Sequence, residues 1–162
     1  STASSFSFSF SETFSTLTGS GGAISLQTNS GNIVLTNSDL DSFSLSSSFA
    51  DEAVIAGSGG TIDLSARGGT IAGNNSTLNS FAVSDLGASG NGGTVTLEAG
   101  DRISGLTINT VAAGSLSGDV QINGSSNLLI ERTNILTAQQ IELCLFSACP
   151  PDASTIFNLG AR

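Results

Sequence analysis

Residues 57–64 read Gly-Ser-Gly-Gly-Thr-Ile-Asp-Leu and residues 90–97 read Gly-Asn-Gly-Gly-Thr-Val-Thr-Leu. In each, a short glycine run opens a strand of alternating apolar and polar residues. The same opening stands at Gly19-Ser20-Gly21-Gly22 and, degenerate, at Leu116-Ser117-Gly118-Asp119. Aligned on the glycine run, the first two units keep one offset: Gly22 to Gly60, Ile24 to Ile62, Leu26 to Leu64, Gly31 to Gly69, Ile33 to Ile71, Leu40 to Leu78, Phe43 to Phe81 and Leu45 to Val83 are all 38 residues apart. A constant offset over eight positions marks a repeat array.

Later units keep the opening and shorten: Ile62 to Val95 is 33 residues, Val95 to Val120 is 25 and Val120 to Ile141 is 21. Inside a unit the step to the second apolar strand is 9 residues (Ile24 to Ile33, Ile62 to Ile71) or 8 (Val95 to Ile103, Val120 to Leu128). A third step of 7 follows from Ile33 to Leu40, from Ile71 to Leu78 and from Leu128 to Ile135, with the third unit deviating. The length difference therefore falls mostly after the Phe-x-Leu/Val segment and before the next glycine run. Excursions there should leave one corner of successive units and line one edge of the array, either as a binding surface or as neutral insertions.

Three short strands cannot bury an apolar face alone, so such units must stack on one another and share an axis. The expected fold is an all-β parallel β-helix, or β-solenoid, of about five coils, about 25 Å long at about 4.8 Å per strand. Period-two alternation aims Ile24, Leu26, Ile62, Leu64, Val95 and Leu97 inward, and Ser25, Asp63, Thr96, Gln121 and Glu142 outward. Glycine and asparagine at strand ends are expected to supply positive φ or tight turns. The expected organisation is residues 1–18 as a partial first coil or edge strand, 19–143 as the repeats, and 144–162 as a cysteine-bearing turn and C-terminal coil or cap.

The 162 residues carry 20 Gly and no His, Met, Trp or Tyr, and 4 basic against 13 acidic residues give a net charge of -9. The basic residues are all arginines, Arg67, Arg102, Arg132 and Arg162. Nucleic-acid binding rests on clustered Lys and Arg, so no nucleic-acid partner is expected. Without a run of about 18 apolar residues, no membrane insertion is expected either. The start has no charged segment followed by an apolar one, which reads as a mature product or an excised piece. The 38% hydrophobic content is placed periodically, which separates the chain from disordered Ser/Gly-rich tracts.

The stretches at 57–64 and 90–97, with the Gly-Gly-Thr-Ile-Ala-Gly-Asn echo at 68–74, resemble the repeat region of filamentous-haemagglutinin-like exoproteins of two-partner secretion, in their Ser/Gly-rich cyanobacterial form. The resemblance covers roughly residues 19–143. It implies a right-handed β-helix, export through the outer membrane, an extracellular or cell-surface location, and an adhesive or structural role. The Asn-Pro-Asn element of the family's secretion domain is missing, the prolines being Pro150 and Pro151, so the chain resembles the shaft rather than the export signal.

Chemistry is sparsely supplied. With neither His nor Lys, carboxylates are the remaining bases for a Ser, Thr or Cys nucleophile. Asp39 with Asp41, and Asp51 with Glu52, form pairs. At i and i+2 on a strand, Asp39 and Asp41 lie about 7 Å apart on one face, within the range of about 5 to 9.5 Å used in glycoside hydrolysis, but Trp and Tyr sugar platforms are lacking. Solvated edge carboxylates are the simpler reading. Arg67, Arg102 and Arg132 fall at different phases of the repeat, which predicts local pairing with neighbours such as Asp101 and Glu131 rather than convergence. The calcium nonapeptide pattern fails, because Asp63 comes one position late and Ser25, Thr96 and Gln121 replace it elsewhere. Asn74, Asn75 and Asn123 stand in Asn-x-Ser/Thr triplets, but asparagine also suits a corner. No cofactor or metal is expected.

In an exported protein, Cys144 and Cys149 favour a local disulfide over a metal site, which would need more ligands; two free thiols are the alternative. At the other end, Phe6, Phe8 and Phe10 alternate with Ser7, Ser9 and Ser11. Phe8 and Phe10 match Phe43 and Leu45 at an offset of 35. The segment reads as the last side of a preceding coil, or as an open assembly strand that pairs with another protomer or with adjoining repeats. The expected function is a non-enzymatic extracellular structural or adhesive module of a surface fibre. The alternative is a β-helix that binds or cleaves carbohydrate, with surface polysaccharide as partner. An ice-binding array would need a regular Thr column, and Ala23 and Asp119 interrupt the one through Thr61 and Thr94.

Overall fold

A computed structural model describes residues 2–11, 19–48, 57–84, 90–112, 116–138, 140–144 and 155–156. In chain order the strands are β1 (Thr2–Ser11), β2 (Ala23–Thr28), β3 (Ile33–Thr36), β4 (Asp39–Ser48), β5 (Thr61–Ala66), β6 (Thr70–Ser84), β7 (Thr94–Ala99), β8 (Arg102–Asn109), β9 (Asp119–Gly124), β10 (Leu129–Glu131), β11 (Asn134–Thr137), β12 (Gln140–Cys144) and β13 (Thr155–Ile156). The fold is all-β, with no helix among the described residues.

The first strand of every unit joins one six-stranded sheet, ordered β13-β12-β9-β7-β5-β2. The second and third strands join a seven-stranded sheet, ordered β1-β4-β6-β8-β10, with β3 also on β6 and β11 on β8. Every pairing is parallel except β12 with β13. The repeat offset is the sheet register: Ile24 stands opposite Ile62, Leu26 opposite Leu64, Ile33 opposite Ile71, Leu40 opposite Leu78, and Phe43 opposite Phe81. Val95 and Val120 continue the first column, and Ile141 follows.

One apolar cluster draws on both sheets. Ile62, Leu64, Val95, Leu97 and Val120 contribute from the first, and Ile71, Leu78, Ile103, Leu106 and Ile108 from the second. The alternating positions Asp63, Thr96 and Gln121 are half-exposed, as the period-two reading requires. In one column Leu26, Leu64 and Leu97 are 38%, 1% and 0% exposed. Leu26, read as inward, is open because β2 ends its sheet and has a neighbour on one side only.

Three details of the alignment shift. Ile103 faces Ile130 rather than Leu128, although Leu128 still packs against the core. With Ile108 opposite Ile135, the third and fourth units share a step of 5 in place of 7. Phe6 stands opposite Phe43 and Phe8 opposite Leu45, an offset of 37 instead of 35, and Phe10 faces Ser47. The shift is even, so alternation alone could not detect it.

The glycines that open each unit do a different job from the one expected. Positive φ occurs at Asn37, Asn75, Gly105 and Arg132, which are the corners between the second and third strands of four successive units. Gly60, Gly93 and Gly118 are absent from that set; they are glycine because of close approach. A Cβ on Gly60 would overlap the Gly22 carbonyl oxygen and Ser42 Oγ, and one on Gly93 would overlap the Gly60 oxygen and Ser80 Oγ. A buried hydroxyl column seals this seam. Ser42 Oγ donates to the Gly22 carbonyl at 2.5 Å, Ser80 Oγ to Gly60 at 2.6 Å, and Thr110 Oγ1 to Gly118 at 3.1 Å. All three hydroxyl residues are fully buried, and the bond gives each buried hydroxyl an acceptor, the Gly22 and Gly60 oxygens accepting also from the Thr61 and Thr94 amides.

The third strand therefore inverts the usual parity. Its serines Ser42, Ser44 and Ser80 are buried, while Phe43, Leu45, Phe81 and Val83 are half-exposed on the outer face. Phe43 and Phe81 stack with ring centroids 4.8 Å apart and planes 1° from parallel, a contact worth about 0.5–1.5 kcal/mol.

Candidate functional site

Asp39 and Asp41 share the outer face of β4. Asp39 is exposed, and Asp41 is half-buried and accepts a 2.8 Å hydrogen bond from Asn79 Nδ2. That bond serves the cross-strand ladder and brings no second carboxylate into play. Asp51 and Glu52 lie outside the described residues. No group of three or more His, Cys, Asp or Glu that could hold a metal occurs among the described residues. Cys144 ends β12 opposite Asn123, and Cys149 lies outside the described residues, as do most of the excursions. Phe6, Phe8 and Phe10 lie on β1, the terminal strand of its sheet.

On the outer face of the six-stranded sheet a shallow cleft of 180 Å³ is lined by Gln27, Asp63, Ser65, Arg67, Thr96, Glu98 and Asn123, among others. Three of its polar groups bind one another. Ser65 Oγ donates to Glu98 Oε2 at 2.6 Å and Arg67 Nε to the same oxygen at 3.0 Å. Arg67 thus pairs across to the next repeat. The Ser65 hydrogen bond, chiefly, holds the Glu98 carboxyl below its ordinary range; partial burial opposes it and the Arg67 guanidinium adds to it.

A folded-state pKa below the unfolded one gives stability that is present above the unfolded value and lost as pH falls through the folded one. Arg67 is 68% exposed, so the contribution is under about 1 kcal/mol. The stability advantage of the wild type over Glu98→Gln should accordingly shrink on acidification below the ordinary carboxylate range. Denaturant midpoints across that range check it; a gap that widens with acid would reverse the assignment.

A wider opening lies at the corner column. Between Ala72 and Ser76, β6 carries Gly73, Asn74 and Asn75, whereas β8 passes from Ser104 to Leu106 with Gly105 alone. The third unit is two residues shorter here, and its corner recedes beneath the second. The result is a notch of 710 Å³ lined by Gly73, Asn74, Asn75, Arg102, Ser104, Gly105, Glu131 and Arg132. Arg102 Nη1 lies 3.8 Å from Glu131 Oε2, with side chains 51% and 47% exposed. Arg132 makes no ion pair among the described residues, and its φ is 49°, a backbone that asparagine or glycine takes more readily.

Two arginines expected to stay apart thus meet at one opening. Their phases differ relative to the apolar strands, but with Leu129 opposite Arg102 the register places Arg132 three positions along the neighbouring strand, and both line the opening. The 5-residue step from Ile103 to Ile108, and an arginine where other units place Asn or Gly, are the signals in the sequence that point to it. No protein-family model, curated protein or solved structure matches the chain, so its function is argued from its own geometry.

Proposed function

We propose that the chain is a length of closed, right-handed parallel β-solenoid that serves as a non-enzymatic structural or adhesive module, part of an extracellular fibre of the filamentous-haemagglutinin-like, two-partner-secreted kind. The observation that carries this reading is the column of Leu26, Leu64 and Leu97, whose exposure falls from 38% to 1% and 0% as neighbours are added. Each repeat is completed by the next. The edge of β2 and the outer edge of β1 are suited to more strands of the same kind, either adjoining repeats or another protomer paired along Phe6, Phe8 and Phe10.

An enzymatic role finds little support in the groups that are described. Asp41 is tied to Asn79 on the outer face of β4, and Asp39 is exposed. Nor does the outer aromatic strip suit sugar stacking between its rings, since Phe43 and Phe81 turn their faces to each other.

Antibodies raised against the chain should label intact, unpermeabilised source cells along extended surface material. Labelling that appears only after permeabilisation would contradict the extracellular role.

A further inference from the structure

The corner notch is a point where the array departs from its own regularity, the third unit being two residues shorter there than the second. Two of the chain's four basic residues gather there in a protein of net charge -9. Arg132 holds a backbone conformation that its unit could adopt more cheaply with glycine, and strain of this kind is kept where the surroundings or a function require it. With Arg102 and Arg132 opposed by Glu131, the formal charge of the lining is +1. That balance suits one monoanionic group and disfavours a dianion, which would meet Glu131. Guanidinium binds carboxylate through paired N–H donors.

Asn74, Asn75 and Ser104 surround the arginines with groups that donate to and accept from hydroxyls. The 710 Å³ opening is of the size that takes a small ligand.

We propose that this notch is a binding site for a carboxylate-bearing sugar, a uronic acid residue of a saccharide chain, with Arg102 and Arg132 gripping the carboxylate and the Asn74, Asn75 and Ser104 edge meeting its hydroxyls. The site adds a ligand to the scaffold and does not depend on export or on the chain's place in a longer fibre. The ligand is held, and no bond in it is broken. At physiological ionic strength screening acts over about 8 Å, so the local pair of guanidiniums outweighs the distant negative surface.

The test is titration of the whole chain with a galacturonic acid trimer, followed by calorimetry and by amide chemical shifts, beside two comparison ligands: the trimer's neutral methyl ester and a sulfated neutral trisaccharide. Binding of the acid with shifts at Asn75, Gly105 and Arg132, a loss on the order of tenfold for the ester, and weaker binding of the sulfated sugar are expected. Arg132→Gly should lose binding on the order of tenfold with an unchanged or raised unfolding midpoint, because glycine relieves the positive φ. Arg102→Gln should weaken binding similarly. Glu131→Gln should strengthen it by removing the competing carboxylate.

Equal binding of acid and ester, full binding by Arg132→Gly, or no binding by the wild type at millimolar ligand would overturn the site. Preference for the sulfated sugar would overturn the carboxylate assignment. None of these outcomes bears on where the protein is located, which the antibody experiment reads separately.

Discussion

Gly93→Ala should destabilise the protein by about 4 kcal/mol or more, at the upper end of what single substitutions do. The added methyl would overlap the Gly60 carbonyl oxygen and Ser80 Oγ. Rotation of Ser80 could relieve only the second. The Gly60 oxygen is backbone, accepts from Ser80 Oγ at 2.6 Å and from the Thr94 amide at 3.2 Å, and cannot move without parting β5 from β7. Ser80→Ala should therefore fail to rescue Gly93→Ala.

Gly31→Ala is the matched control. Its methyl would meet chiefly Thr28 Oγ1, at 3.0 Å, the end of a side chain that can turn, so a change within about 1 kcal/mol is expected. Urea midpoints read from the β circular-dichroism signal distinguish the two. A Gly93→Ala protein as stable as the Gly31→Ala one would mean that the repeats do not approach as closely as described.

Leu97→Ala should cost on the order of 2 to 5 kcal/mol, the transfer term plus the cavity left between two covered neighbours. Leu97 is fully buried, in register with Leu64 on one side and Ile122 on the other. Neither partner can collapse into the space without leaving its own strand pairing. Thr96→Ala, one residue earlier and half-exposed on the opposite face, should stay within about 0.5 kcal/mol. Leu26→Ala should fall between them, because Leu26 is already 38% exposed and less of its burial remains to be lost. Equal losses at 96 and 97 would place the wrong face in the core.

Much of this architecture is legible in the chain itself, and the reason is physical. Parallel in-register pairing turns a repeat offset directly into a strand register, so Ile24, Ile62 and Val95 are neighbours in space because they are equivalent in sequence. Reading fails where hydrophobicity and burial part company. The Phe-x-Leu segment looks like a core strand, yet its serines are buried against glycine carbonyls and its aromatic residues stack outside. A pattern of alternation gives two faces and does not say which is inner; Gly60 and Gly93, beside Ser42 Oγ and Ser80 Oγ, decide it by leaving room for a hydroxyl.

The same limit hid the notch. Its arginines stand at unrelated phases of the repeat, and they line one opening because the backbone register sets Leu129 opposite Arg102 rather than through any motif. The Leu128 alignment differs for a related reason: the fourth unit offers Leu128, Leu129 and Ile130 in succession, and only the backbone pairing selects Ile130. The acidic pair at Asp39 and Asp41 is legible as a shared strand face, but the Asn79 bond that occupies Asp41 comes from a strand 38 residues on.

The central claim is that successive repeats stack as parallel strands in register. Paired spin labels on the outer face test it most directly. Asp63 and Thr96 are register partners on β5 and β7, and Gln121 follows on β9, so backbones at 63 and 96 should lie about 4.8 Å apart and those at 63 and 121 about twice that. With cysteine-attached labels, the 63/96 pair should show strong spin-spin broadening in the frozen state, the 63/121 pair weaker broadening, and each single label none. A 63/121 pair broadened as strongly as 63/96, or a 63/96 pair that superimposes on the sum of its singles, would contradict the stacked-repeat structure.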